Sequence, residues 1–130
     1  MVVASSDKNG NPSLNSNYGA KELDLFAPGM DIYSSYMGDT YQTGSGAGLS
    51  SATVAGVAAL VKAYYPNLTG SQIRNILLKT VTSRKGVEVE KGIIVNNKQT
   101  QDLFLFEDLC LSGGILNAYQ AIMAADKLTK

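Results

Sequence analysis

Histidine is absent from all 130 residues. That removes the side chain whose pKa lies nearest neutrality, and with it the usual general base of nucleophilic hydrolysis and the commonest metal ligand. Only one cysteine is present, Cys110, which excludes an internal disulfide and leaves no His or Cys cluster for a metal. It sits in an apolar run and reads as a small buried hydrophobe. Charge of one sign is missing as well: eleven basic residues balance eleven acidic ones, and no Lys/Arg cluster breaks the balance locally. A strong general attraction to nucleic acid or to an anionic membrane is therefore excluded. The opening MVVASSDKNG has neither a basic n-region nor an apolar stretch of signal-peptide length, so the chain as written carries no export signal and its localisation is unknown. The glycines at 44, 46 and 48 lack both the lysine of a phosphate loop and GxGxxG spacing, and the carboxylates are scattered at turns. No cofactor and no metal are expected.

What is present is one domain's worth of chain with ordinary apolar content and many glycines, which implies many turns. Its most distinctive stretch is Ser45 to Leu60, SGAGLSSATVAGVAAL, a glycine-rich bend leading into a helix over Leu49–Tyr65. That helix is apolar nearly all round, so it belongs inside a fold. It is too short, and too interrupted by Lys62, to span a bilayer. Pro66 stops it. A sharp bend into a buried helix suits a reactive group, because free N–H groups at a helix N-terminus favour developing negative charge.

Before that stretch, Met1 to Ser5 reads as a short buried strand and Asp7 to Asn11 as a turn carried by Asn9-Gly10. Asp7, Asn9 and Asn11 have the spacing that starts a calcium loop but lack its following Gly and distant Glu, which leaves a plain turn. Ser16 to Gly19 is a second turn, Leu23 to Ala27 a strand ended by Pro28-Gly29, and Ile32 to Ser34 a third strand. After Pro66, Thr69 and Gln72 form a capping box for a helix reaching about Val81. Asn67-Leu68-Thr69 is formally a glycosylation acceptor, but the helix start already accounts for Thr69. Residues 84–110 suggest one or two hairpins from Val87–Val89, Ile93–Val95 and Leu103–Phe106, with Asn96-Asn97 as a turn. Lys85, Glu88, Glu90, Lys91 and Lys98 read as a solvated face there. Asn117 caps a last helix, with Gln120 at the third helical position, Leu116 stapled on Ala121, and Ala118, Tyr119, Ile122 and Met123 as its packing face.

Four ordered segments, SNYG, LDLFAPGMDIYSS, the Ser45–Leu60 stretch with VAGVAALVKAYYP, and LSGGILNA, together resemble the subtilases, the subtilisin-like serine proteases. The family's active-serine pattern is Gly-Thr-Ser-Met-Ala-x-Pro-His-Val-Ala-Gly. Laid on this chain without a gap, it places Gly on Gly46, Thr on Ala47, the nucleophilic Ser on Gly48 and Met on Leu49. Ser50 and Ser51 follow, Ala52 stands at Pro and Thr53 at His, and then Val54, Ala55 and Gly56 match. The scaffold half of the motif is kept and the chemical half is not. The resemblance implies an α/β fold, the C-terminal portion of the subtilisin-like three-layer sandwich with a mainly parallel sheet, covering 1–130 as a single partial domain with 84–110 as a hairpin insertion. It also implies that the catalytic Asp and His and the oxyanion Asn belong to a region upstream of this one.

Serine protease chemistry needs a nucleophile, a base, a group that orients the base and oxyanion donors. By this reading three of the four lie outside the chain and the fourth is replaced by Gly48, so no catalytic set is intact. Ser50 and Ser51 are the nearest hydroxyls, but lie half a turn or more further round the helix. The expectation is a subtilisin-like endopeptidase homologue, inactive on this chain, with a structural or binding role. The alternatives are a subunit of a serine hydrolase, completed by an upstream segment carrying Asp, His and oxyanion Asn with Ser50 or Ser51 as nucleophile, and a drifting remnant without a selected role. Extracytoplasmic work is what the family resemblance implies. A sheet and a helix without their upstream neighbours are expected to self-associate or to pair with an N-terminal subtilase segment.

Overall fold

The apolar segment near the start of the chain forms strand β1 (Val3–Ser6), and the one before the Pro28-Gly29 break forms β2 (Leu25–Pro28). They run parallel, with Val3 opposite Leu25 and Ala4 opposite Phe26. The computed structural model describes residues 1–130, apart from the side chain of Ile94. Alternation along β2 builds two cores at once, since successive side chains point to opposite faces. Leu25 and Ala27 join the helical layer, while Phe26 joins Ala4, Val89, Phe106, Leu109 and Cys110 on the other face. Cys110 is accordingly a buried free thiol.

Next come β3 (Ile32–Tyr36) and β4 (Thr40–Gly44), an antiparallel ribbon outside the main sheet. Its turn residues Gly38 and Asp39 both have positive φ, the geometry that matches the twist of two paired strands. Helix α1 (Ala47–Tyr64) follows, then α2 (Gly70–Lys79), whose Thr69 and Gln72 complete both halves of the capping box. Strand β5 (Thr82–Ser83) leads to β6 (Glu88–Val95) and β7 (Lys98–Leu105), a single hairpin turning at Asn96 and Asn97, both at positive φ. A 3-10 turn at Phe106–Asp108, β8 (Gly114–Ile115) and α3 (Ala118–Thr129) complete the chain. The main sheet has the order β1-β2-β8-β5, with only β5 antiparallel to its neighbour. This is an α/β architecture: helices on one face, the 84–110 hairpin on the other.

Five expectations change. Helix α1 starts at Ala47, two residues early, which puts Gly48 inside its first turn. It is also not enclosed: only Ser50, Val54 and Val61 are buried, because β1, β2 and the other helices cover one stripe. By length and composition α1 could cross a bilayer, with 18 residues at mean hydropathy 1.3, but that stripe is packed on the sheet. Lys62 tethers its C-terminal end by donating to the carbonyls of Pro66 and Leu68 at 2.7 and 2.8 Å. In α3 the buried residues are Ala121 and Ala125, whereas Tyr119 and Met123 are exposed, since small side chains bring that helix close to α2. Lys91, expected on a solvated face, is fully buried.

Candidate active-serine site

The geometry around Gly48 is set by a close approach of two backbones. A Cβ on Gly29 would lie 1.9 Å from Ser50 Oγ and 2.9 Å from the Gly46 carbonyl, so only glycine fits after Pro28. Gly46 donates its N–H to the Gly29 carbonyl at 2.7 Å, and Asp31 donates its own to Ser45 Oγ at 2.9 Å. Ser50 Oγ donates to the Ala27 carbonyl at 3.0 Å, under the end of β2. Thr53 Oγ1 reaches the Pro28 carbonyl at 3.4 Å as well as Leu49 O of its own helix at 3.0 Å. These bonds pin the first turn of α1 onto the C-terminal end of β2, where ligand crevices of parallel sheets form.

Ser50 is thus committed: fully buried, with its hydroxyl spent on the strand below. Ser51 is exposed on the helix surface. Gly48 is exposed too, and a Cβ built on it would meet nothing within 4 Å. Its backbone is not in the left-handed region, so any side chain would be tolerated there. The turn itself is held by Gly46 at φ 152°, whose carbonyl accepts from the N–H groups of Leu49 and Ser50. No side-chain hydrogen bond caps the helix. The arrangement therefore presents a first helical turn to solvent, with open space around Gly48.

Beside this turn lies a cleft of 380 Å³, walled by β1, the loop 13–17 and residues 45–47. Strand β1 is the edge of the sheet. At Ser5 that edge is covered, because its carbonyl accepts from Ser13 N–H at 2.8 Å and its N–H donates to Ser16 Oγ at 3.3 Å. At Val3 it is open to the cleft. Asp24, which follows the cleft residue Leu23, accepts from Val2 N–H at 2.8 Å and from Arg74 at 2.6 Å. In the turn that follows β1, the Asp7 carboxylate accepts from the N–H groups of Asn9 and Asn11, both at 2.8 Å. Slight burial raises its pKa, and the hydrogen bonds from Asn11 and Asn9 outweigh that and hold it below the usual carboxylate value.

The subtilase family model matches residues 1–102. The chain belongs to the subtilase family. It is 44% identical over 82 residues to a thermostable alkaline protease of Halalkalibacterium halodurans, covering 63% of this chain and 22% of that protein. It is 41% identical over 96 residues to subtilisin BL of Lederbergia lenta, covering 74% of this chain and 35% of that one. Among solved structures, a protease from Pseudoalteromonas arctica superposes with a TM-score of 0.70 at 29% identity, over 96% of this chain and 36% of its own. The prenylagaramide maturation protease PagA superposes with a TM-score of 0.67 at 28% identity, over 95% and 41%. This subtilase chain thus spans between about a fifth and two-fifths of the length of these relatives.

Of the residues singled out from sequence, the fold brings Gly48 and Ser50 to one helical turn but sends them to opposite surroundings. Gly29 and Ser45 were not singled out, although the Pro28-Gly29 pair ahead of a glycine-rich bend was the available sign. Lys91 was missed because a lysine between glutamate and glycine in a charged segment looks solvated.

Proposed function

We propose that this chain is a non-nucleophilic subtilase module: it keeps the scaffold of the active-serine turn, performs no peptide hydrolysis, and serves as a docking half for the remainder of a subtilase fold. The observation that carries this reading is Gly48, an unsubstituted backbone at the nucleophile's place with free space around it. Covalent catalysis there has no hydroxyl to activate, and no histidine in the chain to activate one. The alternative, in which Ser50 acts once an upstream segment supplies Asp, His and Asn, is disfavoured by its burial and its bond to Ala27 O.

The docking role rests on two surfaces. One is the cleft at the β1 edge, where Val3 pairs with Leu25 of β2 on one side and has no strand on the other. The other is the exposed stripe of α1 formed by Ala52, Gly56, Ala59, Leu60 and Ala63, apolar and uncharged. Unpaired edges and uncovered apolar stripes favour association. Upstream subtilase sequence is the occupant that fits, since the relatives are several-fold longer than the matched region. Mixing this chain with an upstream subtilase segment, followed by light scattering and a fluorogenic peptide assay, is expected to give a one-to-one complex without hydrolysis. A monomer that ignores the segment would contradict the docking role, hydrolysis by the complex would contradict the inactivity, and a homodimer would reassign the surface to a second copy.

A further inference from the structure

Lys91 is a fully buried cation without a carboxylate partner among the described residues. Asp102 stands opposite it in the β6–β7 register, but its Oδ1 accepts from the Leu103 N–H, and the lysine turns away. The Lys91 ammonium instead donates to three main-chain carbonyls of one loop: Ser13 at 2.5 Å, Leu14 at 3.0 Å, and Ser16. The Tyr18 ring supplies a fourth side, with its centroid 5.5 Å from Nζ. Three carbonyl oxygens and an aromatic face around one positive charge is the coordination chemistry of a monovalent cation site, with an ammonium as its occupant.

The neighbouring contacts are built for this approach. Gly92 donates its N–H to Leu14 O at 3.3 Å, and a Cβ on it would lie 2.7 Å from that oxygen, so the hairpin reaches the loop only through glycine. Gln99 Nε2 donates to Asn15 Oδ1 at 2.7 Å, and Phe104 packs against Tyr18 with centroids 5.3 Å apart. Burial pushes Lys91 down to about 8, so at neutral pH it still carries its charge. The same loop forms a wall of the cleft at the β1 edge.

We propose that residues 13–18 form a monovalent-cation loop whose resident cation is the Lys91 ammonium, carried in by the β6–β7 hairpin to hold the wall of the cleft. Removing the ammonium takes the Ser16 carbonyl's protein donor and leaves those of Ser13 and Leu14 with one N–H each, from Ser16 and Gly92, and a free ion of similar size and charge, ammonium or potassium, then takes the vacated place. The oxygens are neutral, so a divalent ion would gain no carboxylate there.

The test is the full chain as Lys91→Met, melted in ammonium, potassium, sodium and choline chlorides at equal ionic strength. In choline the variant is expected to melt about 5–10 °C below the unsubstituted chain. Ammonium or potassium is expected to recover much of that loss in a saturable way, with no such response from the unsubstituted chain. A variant as stable as the parent, or one that responds alike to all four salts, would overturn the proposal. Should the variant not fold, the unsubstituted chain decides: a slowly exchanging Lys91 ammonium signal in a nitrogen-15 lysine spectrum, absent from Lys91→Arg, supports the caged cation, and a Lys91 ammonium exchanging as fast as the surface lysines overturns it.

Discussion

Gly29 and Gly48 sit at the two ends of one contact and behave oppositely. At Gly29 the space is taken by Ser50 Oγ and the Gly46 carbonyl, so Gly29→Ala must push α1 away from β2. A loss of about 1–3 kcal/mol in stability is expected from such overpacking, read by urea denaturation. At Gly48 the space is open and the backbone ordinary, so Gly48→Ser is expected to change stability by less than about 1 kcal/mol in the same experiment. Asp7 gives a pH dependence of known sign. Its carboxyl is depressed in the folded chain, so its contribution is complete above the ordinary carboxylate value of 3.8 and fades as pH falls through the lower folded value. Asp7→Asn should flatten the acid limb of stability against pH, and an unchanged limb would show that the turn does not depend on the charge. The pattern at Gly48 was readable from the order of residues alone, because the flanking Gly46 and Val54-Ala55-Gly56 fix the alignment. What Ser50 does was not, because its partner Ala27 is 23 residues away.

Elements differ in how plainly the chain announces them. Helix α2 and helix α3 were legible because their caps are local: Thr69 and Gln72 are three residues apart, as are Asn117 and Gln120. The β6–β7 turn was legible from Asn96-Asn97, both at positive φ. Strand β4 was not anticipated, since Thr40 to Gly44 carries no apolar alternation and its pairing with β3 buries little. The Gly38-Asp39 turn was the signal that would have found it. Burial of α1 and α3 was misread for one reason: which stripe of a helix is covered depends on neighbours distant in sequence. The bridge from Asp24 to both Val2 N–H and Arg74 joins β1, β2 and α2 in this way. Asp24→Ala is expected to cost about 1 kcal/mol in urea denaturation, because it strands the part-buried Val2 N–H while the exposed Arg74 guanidinium turns to solvent.

At the scale of the molecule, the fold is a subtilase sheet whose β1 edge is open at Val3 and whose helix α1 leaves one apolar stripe exposed. The α/β architecture and the family were legible because several segments agree in order and spacing. The uncovered surfaces make association the natural behaviour of the proposed module. Ala59→Arg, placed in the exposed α1 stripe, is expected to leave the melting temperature nearly unchanged while weakening association at least tenfold in sedimentation. Loss of folding instead would mean that the stripe is internal to the monomer.

The account turns on whether any hydroxyl of this chain can act as a nucleophile. The most direct measurement is labelling with a fluorophosphonate probe, of the chain alone and mixed with an upstream subtilase segment, with the modified residue located by mass spectrometry. The account predicts no labelled residue in either sample. A label on Ser50 or Ser51 would contradict it and make this chain the nucleophilic half of a working hydrolase.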